Sequence, residues 1–322
     1  MTPDGFLADV GAAPGRLLDL ADSLSRGSPW AGTPVEAESA LVLIGMGSSA
    51  YAAGVAAARL RARGVDAVAE LASSDLLPAV RPGTVVIVVS AGGASPEAVA
   101  AAEHYRGRAP VAALTEEPSS PVAGLADAVV PLLAGPEAGG VACRTFRHTL
   151  ALLLALEQDL TGSRRTAADL VRAAAAATSD LLDRRDQWLE PVTRLLAGPD
   201  GCAVVAPARR LSSAQQGALM LREGPRRPAV ACETGDWSHV DVYLTRSTDY
   251  RMLLLAGSRW EGELLRWTRE RGSTVVAVGA DVPGAAATVR FRGDEDDDVR
   301  LLAEVTVPEL VAAQLWRASS SA

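Results

Sequence analysis

Two turns rich in serine and glycine, a glutamate at a predicted helix end and a histidine among acids are the residues best placed to do chemistry. The first turn, Gly45-Met46-Gly47-Ser48-Ser49-Ala50, follows the apolar run Leu41–Ile44 and precedes an alanine-rich helical stretch. A strand that turns through glycine into a helix leaves the first N–H groups of that helix unpaired above the sheet edge, which makes an anion site. Its Gly-x-Gly-x-x-Ala spacing, with Glu70 about 20 residues further on, also fits a dinucleotide fingerprint, so an NAD-dependent dehydrogenase is one alternative.

The second turn, Ser90-Ala91-Gly92-Gly93-Ala94-Ser95, follows the run Val85–Val89 and is closed by Pro96-Glu97, the start of another helix. Two hydroxyls and two glycines converge there, and a phosphomonoester with three oxygens to satisfy suits two such turns better than a dinucleotide does. The plainer alternative is that Ser90 is a turn residue and Ser95 a helix cap.

In the second half, Ala214–Glu223 reads as a helix whose Gln216, Met220 and Glu223 fall on one face. Gly224-Pro225 ends it, so the Glu223 carboxylate sits against the negative end of the helix dipole, where local helix energetics do not favour it. That position suits a general base, although an ordinary surface charge would look the same. His239 lies in Glu233-Thr-Gly-Asp-Trp-Ser-His-Val-Asp241, a predicted turn after a strand, whereas His104 and His148 fall in predicted helices as surface or packing residues.

Composition narrows the chemistry. The 322 residues include no lysine and no asparagine, which excludes a P-loop lysine, a Schiff-base lysine and the kinase lysine together. Any phosphate must be held by N–H groups, hydroxyls, helix dipoles or arginine. A formal charge of −8 argues against nucleic acid as a partner. The three cysteines, Cys143, Cys202 and Cys232, form neither a disulfide framework nor a metal-ligand spacing, and no cofactor or metal is expected. An acidic N-terminus and the lack of an apolar run of about 20 residues point to the cytoplasm and away from a membrane.

These residues must be positioned by alternating strands and helices. Apolar β-branched runs near 40–45, 65–71, 84–90, 110–115 and 127–133 alternate with helical stretches, notably 49–63 and 95–106. Residues 146–196 carry no strand signal and read as two helices, Phe146–Leu160 and Thr166–Leu196. Strand runs resume at 201–206, 228–232, 251–256, 273–279 and 287–292. Five strands in each half, with similar neighbours, suggest an internal repeat. The expected fold is α/β: two tandem flavodoxin-like three-layer domains, each with a five-stranded parallel sheet, joined by helices. The expected division is an N-terminal helical segment over 1–30, a first domain over 31–163, a connecting helix over 164–198 and a second domain over 199–322.

In this order the segments resemble the tandem sugar isomerase (SIS) family, in particular the isomerase half of glucosamine-6-phosphate synthase. Phe6–Val10 with Pro14 and Leu17 resembles the family's entry segment. Gly47-Ser-Ser49 is similar to its C-G-T-S loop, Glu70-Leu-Ala-Ser73 to E-I-A-S, and Ser90–Ser95 to the S-Q-S-G-E-T phosphate loop. Ala134–Glu137 with Val141-Ala-Cys143 resembles A-G-x-E-I-G-V-A-S, Gly217–Glu223 resembles G-A-L-K-L-K-E, and Gly235–His239 resembles G-E-L-K-H.

The resemblance implies a phosphorylated sugar as ligand, bound by Ser48, Ser49, Ser90 and Ser95 with the backbone of Ala91, Gly92 and Gly93. Val141, Cys143 and Gln216 fall on further binding positions. It implies Glu223 as general base, His239 as the ring-opening histidine, often supplied by a neighbouring subunit, and hence a homodimer with shared active sites. Ala91 and Gly92 replace two side-chain donors of the family loop, and Gln216 replaces a glutamate. With no tail lysine and no glutaminase domain in this sequence, ammonia-channelling synthesis is not expected. The implied activity is proton abstraction beside the carbonyl of a hexose or hexosamine 6-phosphate, as an aldose-ketose isomerase or deaminase. The alternatives are a dehydratase or lyase that eliminates a β-substituent from an amino-sugar 6-phosphate such as N-acetylglucosamine 6-phosphate, and a non-catalytic sugar-phosphate sensor.

Overall fold

The computed structural model describes residues 1–163 and 165–320, so the expected limits at 164 and 322 lie outside the described residues. The chain opens with helix α1 (Pro3–Arg26). Strand β1 (Ala40–Gly45), helix α2 (Ser48–Ala62), strands β2 (Ala67–Leu71) and β3 (Thr84–Val89), helix α3 (Pro96–Tyr105), strand β4 (Val111–Thr115), helix α4 (Pro121–Leu125), strand β5 (Ala128–Pro131) and helix α5 (Arg144–Thr161) follow. Helices α6 (Ala167–Asp183) and α7 (Arg185–Leu196) lead to strand β6 (Cys202–Ala206), helix α8 (Leu211–Glu223), strand β7 (Ala229–Glu233), the short helix α9 (Thr234–Trp237), strand β8 (Arg251–Leu255), helix α10 (Glu261–Glu270), strands β9 (Thr274–Val278) and β10 (Ala287–Val289), and helices α11 (Asp297–Ala303) and α12 (Thr306–Ser320).

Two compact units result. The first comprises Arg16–Pro136 and Arg144–Arg172, the second Met1–Gly15, Glu137–Cys143 and Ala173–Ala322. Each holds one five-stranded, all-parallel sheet, in the orders β2-β1-β3-β4-β5 and β10-β9-β8-β6-β7. Counted along the chain within each unit, both are the 2-1-3-4-5 order of flavodoxin-like folds. The α/β architecture of two parallel sheets is therefore as the strand runs indicated.

The reason is burial on both faces. Every residue of β3 (Thr-Val-Val-Ile-Val-Val) and of β4 is buried, as continuous apolar runs in a parallel sheet require. One face of the first sheet packs Val42, Ile44, Val86 and Val88 against Ala98, Ala101 and Tyr105 of α3, and the second sheet packs Met252, Leu254 and Ala277 against Trp237 and Leu264. Small alanines on the helices let them approach the sheets closely, which is why alanine-rich stretches separate the strand runs.

One stretch departs from its sequence pattern. The continuous helix expected over Thr166–Leu196 is broken at Arg184, whose φ of −99° and ψ of 8° separate α6 from α7. No glycine or proline marks the break. The Arg184 guanidinium instead bonds the Asp180 carboxylate at 2.7 Å and the carbonyl of Arg290, a partner more than a hundred residues away in sequence.

Candidate functional site

In the first sheet the strand order reverses between β1 and β3, and ligands of doubly wound folds bind outside the carboxyl ends of strands at such a point. Gly45 and Val89 are register partners, so the two serine and glycine turns leave the sheet side by side. A side chain at Gly45 would meet Ser49 Cβ at 2.8 Å, so glycine is what lets α2 start directly on the strand end. Gly47 turns the chain with φ +50° and offers no side-chain cap to α2. Ser49 N–H donates back to the Met46 carbonyl at 3.0 Å, and Ser48 and Ser49 are half-buried in the first helical turn.

The second turn is anchored from below. The Ala91 carbonyl accepts from Glu116 N–H at 2.9 Å and Thr115 Oγ1 at 3.0 Å, and the Gly93 carbonyl accepts from Val122 N–H at 3.0 Å. Gly93 has φ +59°, and a Cβ there would lie 2.0 Å from Ser120 Oγ, so no other residue fits. With these carbonyls committed towards the loop after β4, the turn is held in the shape that ends at Ser95 and α3. Ser95 occupies the N-cap position of α3, yet its hydroxyl makes no bond to the helix end. Ser95 thus holds the cap position that its place before Pro96 also allowed, with the main chain and not the hydroxyl making the contact to the helix. Ser90 and Ala91 are half-buried, Gly92 exposed and Gly93 buried.

Thr115 and Ser120, which support the turn, were not singled out from the sequence. The local signal for Ser120 is its place before Pro121, where it caps α4 by accepting from Ala123 N–H at 3.3 Å. Its contact with Gly93 is a tertiary fact.

The other candidates lie in the second unit. Gln216 is fully buried on α8, and its amide donates to the Ala142 carbonyl at 2.6 Å and contacts Met220 Sδ at 3.6 Å. The Glu137–Cys143 segment is further held by Cys143 N–H to Glu137 Oε1 at 2.7 Å and Gly139 N–H to Asp9 Oδ2 at 2.7 Å. Val141 and Cys143 are buried, so this segment presents main chain rather than those two side chains.

Helix α8 ends on Glu223, with Gly224 N–H closing on the Met220 carbonyl at 3.1 Å. The Glu223 side chain reaches solvent, but the protein around its carboxyl desolvates it enough to raise its pKa, against a smaller opposing effect of Arg222. His239 is exposed and lines a cavity of about 400 Å³ with Glu233, Asp236, Trp260 and Glu263. Glu223 is not among the residues that line that cavity. Within the segment expected to be a turn, Thr234–Trp237 form the short helix α9, capped by Glu233, whose carboxylate accepts from Gly235 and Asp236 N–H at 2.6 and 3.0 Å, and Ser238–Val240 with His239 are turn.

No cluster of three or more histidine, cysteine or acidic residues suited to a metal occurs among the described residues. None of their helices is long and apolar enough to cross a membrane.

The switch-point geometry coincides with a family match: residues 36–157, which contain both turns, match the model of the SIS domain. Residues 36–157 are a SIS domain. No curated protein matches the chain in sequence. Solved structures do match in fold. A candidate phosphosugar isomerase of Clostridium difficile 630 superposes with a TM-score of 0.83 at 16% identity, covering 99% of this chain and 93% of that one. The C-terminal domain of the glucosamine-fructose-6-phosphate aminotransferase of Francisella tularensis gives 0.80 at 14% identity, covering 97% and 96%. The tagatose-6-phosphate ketose/aldose isomerase of Escherichia coli gives 0.78 at 15% identity, covering 98% and 94%. At these identities the likeness establishes the fold, and both Ser48-Ser49 and Ser90–Ser95 lie inside the SIS domain.

Proposed function

We propose that this protein converts a hexose or hexosamine 6-phosphate by removing the proton beside its carbonyl, in the manner of an aldose-ketose isomerase or deaminase. The observation that carries the reading is the pair of turns at the switch point of the SIS domain, whose register places two glycine-shaped, serine-bearing loops side by side. In this reading Ser48, Ser49, Ser90 and Ser95 supply hydroxyls, and the N–H groups of Ala91–Gly93 and of the α2 and α3 starts supply the remaining donors, to a phosphate held without lysine. The names of the matched structures, a ketose/aldose isomerase among them, support this substrate class.

Glu223 is the proposed base. Its raised pKa suits a carboxylate that takes a carbon-bound proton near neutral pH and returns it to the adjacent carbon, through an enediol or enolamine. Gln216 acts by holding the Val141–Cys143 main chain, and His239 is the proposed ring-opening group, contributed by a second copy of the chain in a homodimer. A phosphorylated substrate, which does not cross membranes unaided, places this activity in the cytoplasm.

The test is a panel of hexose and hexosamine 6-phosphates, screened first for thermal stabilisation and then for products by NMR in heavy water. Isomerisation exchanges hydrogen at the carbon next to the carbonyl, whereas elimination of a β-substituent yields a product that has lost it. Glu223→Gln is expected to abolish turnover and keep ligand stabilisation. Unchanged turnover removes Glu223 as the base, and stabilisation without any product points to a sensor.

A further inference from the structure

Three loops leave the carboxyl edge of the first sheet next to one another, after β3, β4 and β5, because Val89 pairs with Leu114 and Thr115 with Pro131. Glu116, in the middle loop, bonds to both neighbours. Its N–H donates to the Ala91 carbonyl of the first turn at 2.9 Å. Its carboxylate accepts from the loop after β5, with Ala134 N–H on Oε2 and Gly135 N–H on Oε1, both at 2.9 Å. A carboxylate that takes one N–H on each oxygen fixes direction as well as distance, and such charge-assisted bonds are the strong ones.

The gripped segment has a conformation that needs holding. Leu133 has φ +59° and Gly135 φ +69°, and Leu133 is one of two non-glycine residues with positive φ among the described residues. Left-handed backbone is unfavourable for a residue with a Cβ and persists where its surroundings over-determine it. Burial does not hold Leu133 there, since its side chain is 41% exposed. Its neighbours do. Leu132 N–H donates to the Thr115 carbonyl at 3.0 Å and the Leu132 carbonyl accepts from His148 Nδ1 at 2.8 Å, while the two N–H groups that follow Leu133 go to Glu116. The sheet does not call for this grip, because β4 and β5 are already joined by their own ladder over Ala112–Thr115. What Glu116 ties together lies beyond the strands, where the proposed phosphate turn stands.

We infer that Glu116 is a positioning residue of the proposed phosphosugar site. Its carboxylate holds the left-handed Leu133–Gly135 segment against the loop whose main chain holds Ala91, so the phosphate turn keeps its shape only while that grip is closed. Glu116 touches no substrate in this account and acts through Ala91. The coupling stands on the first unit alone, and its bearing on the substrate rests on the function proposed above.

The experiment measures amide hydrogen exchange in the full-length, nitrogen-15-labelled protein. The Ala134 and Gly135 amides report the grip, and the amides of positions 116 and 122, which donate to the Ala91 and Gly93 carbonyls, report the turn. Glu116→Gln keeps the length of the side chain but turns an NH2 group towards one of the two donors. All four amides are expected to exchange about tenfold faster in it, with those of β1 and β3 unchanged. Wild-type protection at positions 116 and 122 shows that the grip is local and overturns the inference. Glu116→Asp, one methylene too short to reach both donors, carries the same expectation should the glutamine variant unfold. A second measurement uses a hexose or hexosamine 6-phosphate that the wild type turns over. A phosphate turn binds ground state and transition state alike, so KM is expected to rise about tenfold in Glu116→Gln with kcat within about twofold. An unchanged KM overturns the positioning role even where exchange is faster. Should the wild type turn over none of these sugars, the proposed function falls, and the exchange rates still decide the coupling.

Discussion

Gly93 and Ser120 approach so closely that a methyl group on Gly93 would be 2.0 Å from the Ser120 hydroxyl oxygen. The contact joins the turn after β3 to the start of α4, and together with the Ala91 and Gly93 carbonyl bonds it gives the proposed phosphate loop its shape. Gly93→Ala adds both a left-handed backbone penalty of about 1 kcal/mol and an overpacking cost of about 1–3 kcal/mol. The expected result is a lower melting temperature and loss of stabilisation by hexosamine 6-phosphates, read by thermal shift with and without ligand. Ligand stabilisation equal to that of the wild type would separate this loop from binding.

Glu223 carries a pKa raised by desolvation, and a base works only when deprotonated. The proposed activity should therefore fall as pH drops through that raised pKa, and recover above it. A kcat/KM profile against pH measures this. An acid limb at the pKa of an ordinary exposed carboxylate would show that Glu223 is not the group being read.

Gln216 donates its amide to the Ala142 carbonyl. Gln216→Glu, which restores the acid found at this position in the family it resembles, replaces that donor with an acceptor in a buried place. Burial and the facing carbonyl both favour the protonated acid, so its folded-state pKa is expected to lie above its unfolded value. The stability it retains should then be full at low pH and be lost as pH rises. Denaturant midpoints for the variant and the wild type, compared at pH 5 and about pH 8, test the sign; a variant less stable at the lower pH refutes it.

His148 is buried in α5, with Nδ1 bonded to the Leu132 carbonyl at 2.8 Å and Nε2 unpaired. Burial lowers its pKa to about 4, with Arg144, Arg147 and Arg16 acting in the same direction against the Leu132 bond. The unfolded chain, titrating at an ordinary histidine pKa, binds the proton more readily, so stability is full above about pH 6.5 and falls as pH drops towards 4, by about 3 kcal/mol in total. His148→Gln should reduce that pH dependence. Identical slopes of unfolding free energy against pH in the two proteins would show that the histidine is not its source.

Much of the fold was legible because its causes are local. Buried parallel strands need unbroken apolar runs, and Val85–Val89 or Val111–Leu114 can be recognised without knowing their neighbours. The loops were legible for the same reason, since Gly45, Gly47 and Gly93 occupy places that need close approach or positive φ. The break at Arg184 was not, because no glycine or proline marks it and the Arg184 guanidinium bonds a carbonyl, that of Arg290, remote in sequence. Nor was the helical form of Thr234–Trp237, which depends on the Glu233 cap where the acids had suggested a turn.

By itself, then, the sequence determined where strands, turns and helices lie and which turns could receive an anion, because burial patterning and backbone freedom act over a few residues. Tertiary structure decided which turns share an edge, that Ser120 makes Gly93 obligatory, and that Gln216 is committed to Ala142. Each of those depends on strand order and on contacts between groups that the chain brings together only once both sheets have formed.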